Sequence, residues 1–230
     1  MNDVIARNPT GRIGVAGLVF LLAAVACASP SGSHPASQPA LCQGRVEVRS
    51  ESDLARISSC RAIRGDLRLD GGGLEHARPL AELHRVTGSV QLGPTLALPA
   101  IDLLIAVEIV DGNLSIDTNL SAGGVYLPAL RRVAGDLVIT GNTALAGINA
   151  PLVSTIGGDL FIAGNPSLER IDLGGLREIA GSLEIARNTA LDDLVMPALA
   201  AVGGALRIAD NPALPPAVAT ELAIQVGHEP

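Results

Sequence analysis

Gly158-Asp159-Leu160-Phe161-Ile162 is one of seven copies of a five-residue phrase. The copies before it are Gly65-Asp66-Leu67-Arg68-Leu69, Gly88-Ser89-Val90-Gln91-Leu92, Gly112-Asn113-Leu114-Ser115-Ile116 and Gly135-Asp136-Leu137-Val138-Ile139. Gly181-Ser182-Leu183-Glu184-Ile185 and Gly204-Ala205-Leu206-Arg207-Ile208 follow it. Successive glycines are 23, 24, 23, 23, 23 and 23 residues apart. An aliphatic residue stands two places before each, from Ile63 to Val202. Seven places after the last five glycines stand Asn119, Asn142, Asn165, Asn188 and Asn211. A fixed period of this length marks a solenoid.

The phrase has a mechanical reading. Apolar residues alternate in Gly-x-Leu-x-Ile, so they share one side of a short strand. Such a strand cannot bury its face alone, and the next turn supplies a partner about 4.8 Å away. The glycines are expected at corners that need positive φ or close backbone approach. The asparagines are expected at the next corner as a structural ladder, where an amide bonds turn backbone, tolerates left-handed dihedrals and pairs with the amide one turn on. Val46 and Val48 fit an opening strand, so the fold is a mainly β solenoid of about eight turns of 23 residues. Ser50, with Asp53 three places on, predicts a short capping helix. Pro215-Pro216 ahead of Val218, Leu222 and Val226 predicts another at the far end.

Composition agrees with a narrow interior. Aromatics are 1% of the chain, namely Phe20, Tyr126 and Phe161, so the core must be aliphatic. The net charge is −7, which argues against nucleic acid as a partner. All 16 basic residues are arginine, and with many Ala and Gly this is the pattern of a GC-rich bacterial genome.

The N-terminus reads as an address. Arg7 and Arg12 precede the apolar run Ile13–Ala26, whose 14 residues fall short of the roughly 20 that span a bilayer. Ala24-Val25-Ala26 closes a secretory signal over residues 1–26. With Cys27 next, Leu21–Cys27 resembles a bacterial lipobox, which implies lipidation of Cys27 and a membrane anchor. Ala24 stands where leucine is commonest in that signal, and ordinary cleavage before Cys27 is the rival. The chain has three cysteines, and an odd count leaves a thiol that a lipid on Cys27 would explain. Residues 27–41 read as a Ser/Pro-rich disordered tether, reaching up to ~40 Å. Asp after the lipidated Cys favours inner-membrane retention in Gram-negative lipoproteins; Ala28 and Ser29 follow here, so the outer membrane is expected. Secreted or periplasmic protein is the alternative.

From Cys42 to Leu69, Val46-Glu47-Val48, Ser52-Asp53-Leu54, Cys60 and Ile63-Arg64-Gly65-Asp66-Leu67 together resemble the opening of the receptor L-domain family. That family includes the ligand-binding lobes of insulin and epidermal-growth-factor receptors and fungal GPI-anchored cell-wall proteins. The resemblance extends to about Leu214. It implies a right-handed, single-stranded β-helix related to leucine-rich repeats over residues 42–230, with a Cys42–Cys60 disulfide pinning the first cap. Asp70–Arg78 and Gly93–Leu104 depart from the pattern and are expected to be irregular. The cysteine-rich modules of animal receptors are absent, so signalling does not carry over.

No catalytic constellation, metal-ligand set or cofactor motif emerges. His34, His76, His84 and His228 lack partners at ligand spacing. Gly71-Gly72-Gly73 lacks the Lys-Ser/Thr of a phosphate loop and reads as a flexible turn. Asn113-Leu114-Ser115 and Asn119-Leu120-Ser121 match a glycosylation pattern, and for the bacterial source that the composition suggests the match is expected to be accidental. Outward strand positions carry the binding expectation: Arg68, Gln91, Ser115, Val138, Phe161, Glu184 and Arg207. A solvated polar face is the plain reading of that row. A ligand surface centred on Val138 and Phe161, for a protein or extended polymer at the cell envelope, is the sharper one. The expected function is a non-enzymatic surface lipoprotein for ligand binding, adhesion or envelope structure. The alternative, a secreted β-helix enzyme acting on envelope polysaccharide, would need carboxylate pairs in a cleft that short, even turns do not wall.

Overall fold

Short strands that each turn at least one aliphatic residue inward set three parallel sheets along one axis, in a computed structural model that describes residues 40–74, 80–94 and 98–227. The phrase itself forms sheet B, whose eight strands run in chain order from Val46–Ser50 through Leu67–Gly73, Val90–Leu92, Leu114–Asp117, Leu137–Thr140, Leu160–Ala163 and Leu183–Ala186 to Leu206–Ala209. Sheet A precedes it in each turn and also has eight strands, from Ala40–Gln43 and Cys60–Arg64 through two-residue strands such as Arg132–Val133 to Ala201–Val202. Sheet C has four strands, Gly124–Tyr126, Gly147–Asn149, Arg170–Asp172 and Asp193–Val195. The result is a parallel β-solenoid of about seven turns of 23 residues, with a helix closing each end.

Register stacks like on like. Leu114, Leu137, Leu160 and Leu183 pair across sheet B, and Ile116, Ile139, Ile162 and Ile185 form the next inward column. Val110, Val133, Ile156 and Ile179 line the inside of sheet A. Each is fully buried, and full burial of such a side chain stabilises by roughly 1.5–3 kcal/mol before ordering entropy is subtracted.

The asparagine ladder is internal. Asn119, Asn142, Asn165 and Asn188 are 0% exposed. The amide oxygen of Asn142 accepts the Asn119 backbone N–H at 2.9 Å and its Nδ2 at 3.0 Å, and Asn165 serves Asn142 in the same way. Asn165 Nδ2 also donates to the Ile139 carbonyl at 3.0 Å. The left-handed backbone expected at the asparagines falls one residue earlier, at Thr118, Gly141, Gly164, Arg187 and Asp210, with φ between 54° and 67°. That residue turns the chain so that the asparagine side chain can enter the interior.

The phrase glycines answer to close approach more than to φ, since only Gly65 among them has positive φ. A methyl group on Gly112 would lie 2.7 Å from the Gly88 carbonyl carbon and 2.6 Å from the Ser89 hydroxyl. Each glycine N–H donates to the previous glycine carbonyl, as Gly135 does to Gly112 at 3.0 Å.

Both predicted caps form. Helix α1, Glu51–Ile57, starts at Ser50, whose hydroxyl accepts the Asp53 N–H at 3.3 Å; it covers the first turn with Leu54 and Ile57. Helix α2, Pro216–Gln225, has proline at its start and buries Leu222 and Ala223 against the last turn. Gln225 Nε2 donates to the Leu199 carbonyl at 2.6 Å and so occupies an otherwise open end. Cys42 and Cys60 are joined by a disulfide, with Cα atoms 5.8 Å apart. Among the described residues no helix is long and apolar enough to cross a membrane.

Asp70–Arg78 corrects one expectation. The strand that starts at Leu67 runs through Gly73, so the Gly71–Gly73 run ends a strand and is not a free turn. Glu75–Pro79 lie outside the described residues. The second irregular stretch behaves as expected: beyond the cis Gly93–Pro94 bond, the described part pairs only through the isolated Ile101–Val125 bridge while Leu98, Ile101, Leu103 and Leu104 stay buried. Calls on the leader, Cys27, His34, His76 and His228 fall on residues outside those described.

Candidate binding face on sheet B

Because inward leucine and isoleucine fix the parity of every strand, the residue between them must face outward. Register then aligns Arg68, Gln91, Ser115, Val138, Phe161, Glu184 and Arg207 in one column. All seven sequence-derived candidates therefore come together on one surface, which spans about 29 Å at 4.8 Å per strand.

The column divides into three parts. At its N-terminal end Arg68 Nη1 donates to Gln91 Oε1 at 2.9 Å and Nε to Asp70 Oδ2 at 2.7 Å, while Arg49 reaches Asp70 Oδ1 at 3.1 Å. The Arg68 hydrogen bond, with Arg49 beside it, holds the Asp70 carboxyl below its ordinary value of 3.8. At the C-terminal end Arg207 donates to Glu184 Oε1 at 2.6 Å. Both ends are thus satisfied internally. Between them Ser115 is hydrogen-bonded to Asp117, and Asp117 also accepts from the Thr140 hydroxyl at 2.5 Å.

Val138 and Phe161 form the apolar middle. They floor a shallow hollow of about 360 Å³ rimmed by Asp136, Asp159, Ser182 and Glu184. Phe161 is half-buried, so part of its ring stays in contact with water. Tyr126, 49% exposed, lies on sheet C with its ring over Gly124, and the two described aromatics do not share a face.

The rim is where the sequence reading fell short. Asp66, Ser89, Asn113, Asp136, Asp159 and Ser182 look like solvated polar residues, and stacked aspartates look unfavourable. In the structure each side-chain oxygen accepts the backbone N–H of its counterpart one turn on: Asp136 Oδ1 takes the Asp159 N–H at 2.9 Å, and Asp159 Oδ1 takes that of Ser182 at 2.7 Å. A short acceptor after every phrase glycine was the available signal. Asn113 belongs to this row, and Asn119 is buried, so both glycosylation patterns are occupied by structural asparagines.

Among the described residues no His, Cys, Asp and Glu group could hold a metal ion. His84 Nδ1 lies 2.6 Å from the Glu82 carbonyl oxygen, on the exposed side of sheet A. The architecture is that of leucine-rich-repeat-like β-solenoids, a class whose regular faces serve binding and structural roles. No family model matches the chain, and comparison with curated proteins and with solved structures likewise yields no match.

Proposed function

We propose that the chain is a non-enzymatic lipoprotein of the bacterial cell envelope, anchored through Cys27 in the outer membrane, whose solenoid binds a protein or an extended polymer through sheet B. One observation carries the binding half of this reading: an outward column whose end arginines are paired to Asp70 and Glu184, with an apolar, part-hydrated centre at Val138 and Phe161. A large aromatic side chain that keeps contact with water gains most by desolvation against a partner. Mixed charges on the face favour a partner matched by shape and local pairing, not one drawn by a field of a single sign. The anchoring half rests on the lipobox-like Leu21–Cys27 and the Ser/Pro-rich segment after it. The receptor L-domain likeness, with its Cys42–Cys60 bridge, supports a surface role.

The test is retention from native envelope extract on immobilised full-length protein. Phe161→Ser combined with Glu184→Ala should lose the partner that the wild type holds. Full retention by that variant, with loss in variants of Asp70–Arg78, would place binding on the irregular turns and sink the proposal.

A further inference from the structure

Sheet A carries a second surface of different character. Two columns run along its outside. Backbone hydrogen bonds of 2.8–2.9 Å align Arg61, His84, Glu108, Arg131, Ser154 and Arg177 in one. Strand register aligns Arg85, Ile109, Arg132, Thr155 and Glu178 in the other. Arg64 adds a further exposed guanidinium at the end of its strand.

The acids on this face are Glu82, Glu108, Asp111 and Glu178. Asp111 is taken by Arg85 through two hydrogen bonds of 2.8 and 3.0 Å. Glu82 and Glu108 stand 3.5 and 3.6 Å from Arg61 and Arg131. Arg64, Arg132 and Arg177 make no ion pair or side-chain hydrogen bond among the described residues; Glu178, in the same column as Arg132, makes none either, and Arg187, just past the end of a sheet B strand, is a fourth arginine without one. In a chain of net charge −7, three of the four described arginines without counter-ions therefore lie on this side, where six arginines face four acids.

A second observation concerns where the chain enters the solenoid. The strand Ala40–Gln43 is the edge strand of sheet A, so the chain that follows Cys27 enters the solenoid on this sheet. We infer that sheet A is the membrane-facing side of the protein, and that Arg132 and Arg177, with Arg64 and Arg131 around them, rest against the phosphate groups of an anionic phospholipid bilayer. The inference rests on the envelope reading above. It leaves sheet B, on another side of the solenoid, open for a partner.

Guanidiniums near an anionic lipid surface each strengthen attachment by about five-fold, an effect that falls off within a Debye length. The experiment is co-sedimentation of full-length protein carrying Cys27→Ser, with vesicles of phosphatidylcholine alone or with about 30% phosphatidylglycerol. The leader is common to all proteins compared, so the quantity read is the gain in binding when phosphatidylglycerol is added. Arg132→Gln with Arg177→Gln should reduce that gain about 30-fold. Arg187→Gln, which removes an exposed, unpaired arginine just past the end of a sheet B strand, should leave it unchanged, as should the thermal midpoints of all variants. An equal gain in the double variant overturns the inference, as does loss of the gain in Arg187→Gln. Preference for soluble polyphosphate over vesicles, with the same arginine dependence, would make the face a polymer site and also overturn it. Because the lipid on Cys27 is absent here, failure leaves anchoring to be judged by fatty-acid labelling alone.

Discussion

The amide oxygen of Asn165 accepts two hydrogen bonds from Asn142, one from its backbone N–H at 3.0 Å and one from Nδ2 at 3.1 Å. A buried N–H that loses its acceptor costs about 1–3 kcal/mol. Asn165→Ala strands the Asn142 N–H, while Asn142 Nδ2 keeps the Ile116 and Thr140 carbonyls, and it removes the bonds that Asn165 Nδ2 makes, so it should destabilise by about 2–4 kcal/mol. Asn211→Ala removes the last rung, where Oδ1 serves one N–H at 2.9 Å, and should cost about 1–2 kcal/mol. Urea midpoints of the two variants check the order.

A glycine inside the repeated phrase and one outside it should respond oppositely. Gly112→Ala drives a methyl into the Gly88 backbone and should cost about 1–3 kcal/mol. Gly147 has nothing within 4 Å of the added atom, so Gly147→Ala should be neutral or stabilise by up to about 1 kcal/mol. Equal melting shifts would contradict the ladder geometry.

Neighbours on one strand separate core from face. Leu160→Ala opens a cavity and should cost about 2–5 kcal/mol. Phe161→Ser should leave stability nearer the wild type, since its ring lies outside the sheet. Thermal melts of the pair give the contrast.

The first cap depends on Cys42–Cys60, which are 18 residues apart. A loop of this length gives about 3 kcal/mol in the chain-entropy model. Peptide mapping without reduction should recover the linked pair, and Cys42→Ala with Cys60→Ala should lower stability by that order.

Asp70 gives a pH signature. Its folded pKa lies below the ordinary 3.8, chiefly through the Arg68 hydrogen bond, so the associated stability is present above 3.8 and fades as pH falls through the folded value. Arg68→Gln should move the Asp70 carboxyl titration up towards 3.8, read by NMR.

Lipidation is checked by metabolic labelling. A fatty-acid analogue should mark the wild type and miss Cys27→Ser; equal labelling would remove the anchor from the proposal.

Much of this architecture is legible in the chain because the period is regular and the inward residues are almost uniform. Leu160 and Ile162 announce a strand, and the repeated asparagines announce a rung. Sheet C was not legible, since strands such as Gly147–Asn149 bury a single residue and show no alternation. The capping role of Asp136 was hidden too: its meaning depends on the N–H of Asp159, 23 residues away in sequence but one strand away in space. Charge asymmetry between sheets was also invisible, because Arg131, Arg132 and Arg177 gather only after coiling.

Each asparagine takes its bonds from the turn before and gives its oxygen in only one direction along the axis. Interior turns are consequently interchangeable, while the ends are not. Adding or deleting a whole 23-residue unit leaves every remaining donor with an acceptor, whereas a cut within a unit orphans a row. The span between the two caps can thus change only in increments of about 4.8 Å, making chain length a ruler graduated by duplication.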